Sequence, residues 1–177
     1  MNQVVIDQIK IDHAFNPALM QGKSYLVVSH ATRIPPHIGM LIDNCYHSLT
    51  VKGQDINIPF DRFLKNTNIR KIPTLFFELE KHEHFNDIYL KNRFIECIKE
   101  FPRVDVGVAT CLSPIKLFLD DEYGLNLSEA KLLRNVLDAL KEERLLASTT
   151  SLFIDGSSFD QISDLSLSLG RDKSQLQ

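Results

Sequence analysis

The sequence has no apolar run approaching the roughly 18 residues that a membrane helix requires. A transmembrane segment is not expected. It also has no basic stripe: 20 Lys and Arg stand scattered against 23 Asp and Glu, for a net charge of −3. That balance argues against a surface built for phosphate backbones, so no nucleic-acid partner is expected. Cysteine is scarce and odd in number, with Cys45, Cys97 and Cys111 far apart and no CxxC pair. A disulfide framework and a thiolate zinc site are both excluded by that spacing, and a reducing, cytoplasmic interior fits it. The N-terminal "MNQVVIDQIKIDHAFNP" carries Asp7 and Asp12 where a secretory signal would need a basic start and an unbroken apolar segment, so export by that route is not expected. Gly39 and Gly53 are isolated and no GxxxxGK[ST] pattern occurs, which removes a phosphate loop. No internal repeat is visible, and no cofactor is implied.

What remains is the composition of an ordinary globular chain. Its 177 residues are 44% apolar and 24% charged. This is enough for one real core and too little for two, so a single domain is expected over residues 1–155. From Ser24 to about Glu80 the apolar residues come in short runs rich in Val, Ile and Phe, broken by Pro35, Pro36, Gly39, Gly53, Pro59 and Pro73. The runs "SYLVVSH", "HIGMLID", "YHSLTVKG" and "TLFFELE" read as strands. Asp43 and Asn44 are residues that turns favour, so the second and third runs should form a hairpin. "PFDRFLKN", with Phe60, Phe63 and Leu64 at helical spacing, reads as a short helix.

Past Asp87 the apolar period lengthens. "DIYLKNRFIECIKEF" reads as a helix that stops before Pro102, and "LSPIKLFLDDEYG" as one closed by Gly124. "VDVGVATC" between them reads as a short buried strand or extended link. "NLSEAKLLRNVLDALKEERLLA" predicts the clearest helix, with Ser128 as N-cap, and "SLFIDG" an edge strand after it. Residues 156–177 are rich in Ser, Asp and Gln, with hydrophobic spacing too weak to oppose ordering entropy, and read as a flexible tail. The fold class is therefore α+β: an antiparallel sheet from the N-terminal half packed against C-terminal helices.

The chemistry concentrates at two places. Cys111, in "VGVATCLSPIKLFL", follows an apolar extended run and precedes an apolar helix. Free backbone N–H groups and the helix dipole there would lower a thiol pKa and steady an oxyanion. Pro114 limits how early the helix starts: with Ser113 as N-cap Cys111 falls just outside it, and with a start at Thr110 Pro114 sits at the limit of tolerance. "SHATRIPPHIGMLIDNCYHSL" supplies the partners. His37 stands at the start of a strand and would accept the thiol proton, while His47 on the neighbouring strand would orient the imidazole. Cys45 in the turn and Cys97 within a helix read as bystanders. His82 and His84 in "EKHEH" point to one side only in a strand, and no third ligand is evident, so no metal site is expected.

The order "SYLVVSHA", "PHIGMLIDNCYHSL", "INIPFDRFL", "TLFFELE", "TCLSPIKLFL" resembles the circularly permuted papain-like thiol hydrolases of the NlpC/P60 superfamily, including its lecithin:retinol acyltransferase-like and YiiX-like branches. In those families a strand opens with H-x-G, a second polar residue follows on the next strand, and a cysteine comes later at a helix start. The matching positions are His37 in "HIG", His47, and Cys111 in "ATCLSPIKLF", over about residues 24–124. The resemblance implies a permuted papain-like fold. It also implies a hydrolase or acyltransferase acting on an amide, thioester or ester through an acyl-cysteine, on a small-molecule, peptide or lipid substrate. The turn "DNC" stands where the family usually carries glycine. The alternative class is a non-catalytic interaction module that keeps the fold, with the apolar residues around the hairpin serving a partner.

Overall fold

The structure, a computed structural model, describes residues 9–33 and 35–154. Strands β1 (Ser24–Ser29), β2 (His37–Ile42), β3 (Cys45–Thr50) and β4 (Gly53–Pro59) follow one another, then α1 (Phe60–Arg70) and β5 (Thr74–Leu79). Helices α2 (Asp87–Lys99), α3 (Ser113–Tyr123) and α4 (Leu133–Glu142) come next, before β6 (Leu146–Leu152). The six strands form one sheet in the order β4-β3-β2-β1-β5-β6, with every neighbouring pair antiparallel. The α+β reading with an antiparallel sheet holds. No helix among the described residues is long and apolar enough to cross a membrane.

Local chemistry explains the hairpin at the centre. Asp43 and Asn44 both take positive φ, 51° and 57°, the left-handed pair that suits a two-residue turn between right-twisted strands. Asn residues adopt that region at low cost, so the turn needs no glycine. Asn44 also ties the turn down, accepting the Gly22 N–H on Oδ1 and the Phe60 N–H on its carbonyl.

Strand alternation then sorts the side chains onto two faces. Leu26, Val28, Ile38, Met40, Ile42, Leu49, Leu75 and Phe77 point to a large core closed by α2, α3 and α4. Tyr25, Val27, Leu41, Tyr46 and Phe76 point the other way, into a smaller core with Phe60 and Leu64 of α1 and with Met20. The sheet is thus covered on both faces. The expected packing against the later helices accounts for one of them, and α1 and the segment before β1 cover the other.

Strand β4 was not among the expected strands, and its irregularity explains why. Tyr46 pairs with Ile58 and Ser48 with Asp55, so Ile56 and Asn57 together oppose His47 in a bulge. A bulge breaks the two-residue alternation that betrays a strand in sequence. Asn57 takes φ 56° there, and its N–H donates to His47 Nδ1 over 3.0 Å.

Three expectations are corrected. "VDVGVATC" is no buried strand: residues 105–109 form a tight loop closed by an Asp105–Ala109 bridge, and Val106 and Val108 are 90% and 79% exposed. The helix expected from residue 126 to 147 is shorter, starting at Leu133 after Leu132, with Ser128 not its cap. It ends where Arg144 turns to φ 57°, so the edge strand begins at Leu146, seven residues ahead of Phe153 in the expected "SLFIDG" run. The apolar residues Leu145 and Leu146 extend the helical spacing by chance, and the pairing of β6 with the buried strand β5 decides against it. The expected tail, 156–177, lies outside the described residues.

Candidate functional site

His37 is the first residue of β2 and pairs with Ser29 of β1. That register puts its ring on the α1 face of the sheet. Its Nε2 lies 3.0 Å from Ser48 Oγ on β3. Burial is the main influence on the ring and lowers its pKa below the ordinary histidine value; Asp55 opposes this and His30 adds to it. At neutral pH the ring is a free base.

The sheet is open beside it. The β2–β3 pairing runs from Ile42–Cys45 to Met40–His47 and stops, leaving His37, Ile38 and Gly39 unpaired on that side. Tyr46 fills part of the gap. A Cβ added at Gly39 would meet the Tyr46 hydroxyl at 2.5 Å, its Cζ at 2.6 Å and the His47 carbonyl at 2.7 Å, so only glycine fits here. This gives the H-x-G spacing a physical cause. The Tyr46 hydroxyl is buried and finds no hydrogen-bond partner among the described residues. The Ser48 and Ser29 hydroxyls stand near enough to favour the phenolate, yet neither meets it in bonding geometry. Burial dominates and pushes the phenol far above its usual range.

Cys111 approaches from the other side of the sheet, packed against the large core and partly exposed. It lies just before α3: Leu112 is the N-cap, Ser113 the first helical residue, and Pro114 occupies the first turn. Thr110 and Ser113 lock the entry, the Ser113 Oγ accepting the Thr110 N–H at 2.9 Å and the Thr110 carbonyl accepting the Ser113 N–H at 3.0 Å. The expected lowering of the thiol pKa is corrected. Burial raises it, and the N–H groups of Ile38, Cys111 and Leu112 offset this only in part. Cys111 stands outside the helix, so the dipole acts weakly there. The influence of the Ile38 N–H is informative all the same: it brings the sulfur near the residue immediately after His37, beside the open stretch of the ladder.

His47 does not join them. Its pairing with Met40 places it on the α2 face, opposite to the His37 ring, where it is fully buried and meets Phe94 edge-on at 6.1 Å. Its Nδ1 accepts the Asn57 N–H, and its Nε2 finds no partner among the described residues. Burial, then the Lys91 charge, drive its pKa down to about 4, although the nearby Ile42 carbonyl and Asp43 oppose this. A ring held neutral and bound to a bulge is a structural device. The expectation that His47 orients His37 is therefore corrected; the side chain that meets the His37 ring is that of Ser48, one residue on. A shift of one residue reverses the face of a strand, and a hairpin whose register was unknown at sequence level gave no means to choose between them.

The remaining candidates are apart from this rim. Cys97 is buried in the large core, its thiol raised to about 11 mainly by burial. His82 uses both ring nitrogens, Nε2 donating to the Glu122 carbonyl at 2.8 Å and Nδ1 accepting the His84 and Phe85 N–H groups. A cavity of about 630 Å³ lined by Phe15, Met20, Lys23, Tyr25 and Glu78 opens at the opposite end of the sheet. Among the described residues His37 and Cys111 form no hydrogen bond with each other.

No family model, no curated protein and no solved structure matches this chain.

Proposed function

We propose that the chain is a thiol hydrolase or acyltransferase of the circularly permuted papain-like kind, working on an amide, thioester or ester. The observation that carries this reading is that the Ile38 N–H, next in the chain to His37, stands near enough to the Cys111 sulfur to favour its thiolate. The thiol and the ring are both neutral at rest, so attack is base-assisted rather than led by a preformed thiolate. With Nε2 engaged by Ser48, His37 has Nδ1 left to take the thiol proton as the sulfur bonds to the carbonyl carbon. The carbonyl electron pair moves to oxygen, where the N–H groups around Cys111 hold it. The leaving amine, thiol or alcohol then takes the proton from His37. Water, or a second acceptor, releases the acyl group by the reverse path. His37 must swing toward the open ladder to do this, and such contacts commonly tighten only with substrate present. The three unpaired cysteines suit a reducing compartment such as the cytoplasm.

A second reading, a non-catalytic interaction module, draws on the raised thiol pKa of Cys111. The two separate on treatment with p-nitrophenyl acetate. The enzyme reading expects a p-nitrophenol burst and an acetyl group on Cys111 by peptide mass, both lost in Cys111→Ser and His37→Ala. Acetylation of Cys111 no faster than that of Cys45, or unaffected by His37→Ala, would leave the module.

A further inference from the structure

The β4 bulge gives Asp55 a place beside the partner of His37. Residues three apart on a regular strand face opposite ways, yet Asp55 pairs with Ser48 and Ile58 with Tyr46, and both pairs lie on the α1 face. The bulge at Ile56 and Asn57 makes this possible, turning Ile56 into the large core while Ile58 packs with the small one. Asp55 thereby stands directly across the ladder from the residue that holds His37 Nε2. Opposed side chains of this kind lie about 5 Å apart at Cβ. His47, through the Asn57 N–H, pins the bulge in place.

We propose that Asp55 is the positioning residue for His37, its carboxylate favouring the proton on Nε2, beside Ser48, and so leaving Nδ1 unprotonated and free to accept the thiol proton. Ser48 alone does not settle this, because a hydroxyl donates or accepts with equal ease. A carboxylate on the Nε2 side breaks the tie and stabilises the imidazolium formed when the thiol gives up its proton. The other titratable groups near this end of β2 are His30 from the loop after β1, Tyr46 from β3 on the same face and, from the other side of the sheet, Cys111 before α3. Among them Asp55 is the one that draws a proton toward the ring, and His30 acts against it. The role rests on the proposed Cys111–His37 reaction, while its structural premise does not.

The test uses the full chain and needs no substrate. Nitrogen-15 correlation spectra of the imidazoles, with the His37 signal identified by its loss in His37→Gln, report tautomer and titration midpoint. The parent should show His37 mainly protonated on Nε2. In Asp55→Asn the midpoint should move to lower pH and the tautomer toward a mixture, with the midpoints of His82 and His84 unmoved; Asp55→Glu should restore most of the parent behaviour. Acetylation of Cys111 in Asp55→Asn should also slow by roughly fivefold, the size of one screened charge contact. A His37 tautomer and midpoint unchanged in a folded Asp55→Asn would overturn the proposal. If instead the imidazole signals respond as expected and Cys111 is never acetylated, Asp55 stands and the enzyme reading falls.

Discussion

The Asn57 N–H donates to His47 Nδ1 over 3.0 Å at the one point where β4 departs from the ladder. A part-buried N–H that lost its strand partner to a bulge costs free energy unless something accepts it, and the imidazole is that acceptor. The ring must stay neutral to accept, which agrees with a pKa pushed down to about 4 by burial.

That depression has a consequence for stability. Between pH 4 and the ordinary value near 6.5, the unfolded chain binds a proton at His47 that the folded chain refuses, so stability rises with pH across this window and is lost as pH falls. From pH 7 to pH 5 the loss from this ring amounts to about 2 kcal/mol. Asn places an acceptor oxygen near the Nδ1 position and does not titrate. Urea unfolding at the two pH values should show the parent losing about 2 kcal/mol more than His47→Asn. Equal losses would mean that His47 titrates like an exposed histidine.

Gly39 is confined by its neighbours. Two of the three atoms a Cβ would strike, the Tyr46 Cζ and the His47 carbonyl, belong to a buried ring and to the main chain, and neither gives way cheaply. Gly39→Ala should destabilise by about 2 kcal/mol, the usual cost of forced overpacking. Tyr46→Phe in the same chain should not restore the loss, because it removes only the hydroxyl. A melting temperature unchanged by Gly39→Ala would show that β2 and β3 separate more freely than this packing allows.

The Tyr46 hydroxyl itself gives the reverse expectation. It is buried without a partner, and an unpaired buried hydroxyl contributes nothing to offset its lost hydration. Tyr46→Phe alone should leave stability unchanged or raise it by up to about 1 kcal/mol. A clear destabilisation in chemical unfolding would indicate that Ser29 or Ser48 bonds the phenol in solution.

The loop before Cys111 offers a check of another sort. Val106 and Val108 are 90% and 79% exposed, so exchanging both for Ser should change stability by less than about 0.5 kcal/mol each. A loss of several kcal/mol would place them in a core, as their spacing in the sequence suggested.

These cases mark where sequence was legible. The strands at "SYLVVS", "HIGMLI" and "TLFFEL" and the helix over Asp87–Lys99 follow from local spacing, since their apolar residues serve burial, apart from the exposed Ile88 and Tyr89 at the start of the helix. The Asp43–Asn44 turn follows from side chains suited to positive φ. Val106 and Val108 misled because an apolar alternation carries no statement of which loop it closes. Leu145 and Leu146 misled because helical spacing ran on past the point where β5 claimed the chain as a neighbour. At the site, His37 and Cys111 were singled out by residue type and position, and the fold sets Cys111 against the residue after His37. The choice of Ser48 over His47 depended on hairpin register, and the place of Asp55 on a bulge two strands from His37. Both are settled by pairing across the sheet, which no local pattern carries.

The pH dependence of acylation separates two ways for Cys111 to react. A thiol raised by burial ionises little near neutrality, so a reaction led by the free thiolate would climb steadily into the alkaline range, with a midpoint above the ordinary cysteine value. A base-assisted reaction needs only His37 to be unprotonated, and burial places that transition below the ordinary histidine value near 6.5. The rate of Cys111 acetylation by p-nitrophenyl acetate should therefore rise with pH to half of a plateau below pH 6.5 and stay level through neutrality. His37→Ala should remove this limb and lower the rate at pH 7 by on the order of a hundredfold, leaving only the alkaline rise. A parent profile with the alkaline rise alone would assign whatever reactivity Cys111 has to its thiolate, and His37 would have no part in it.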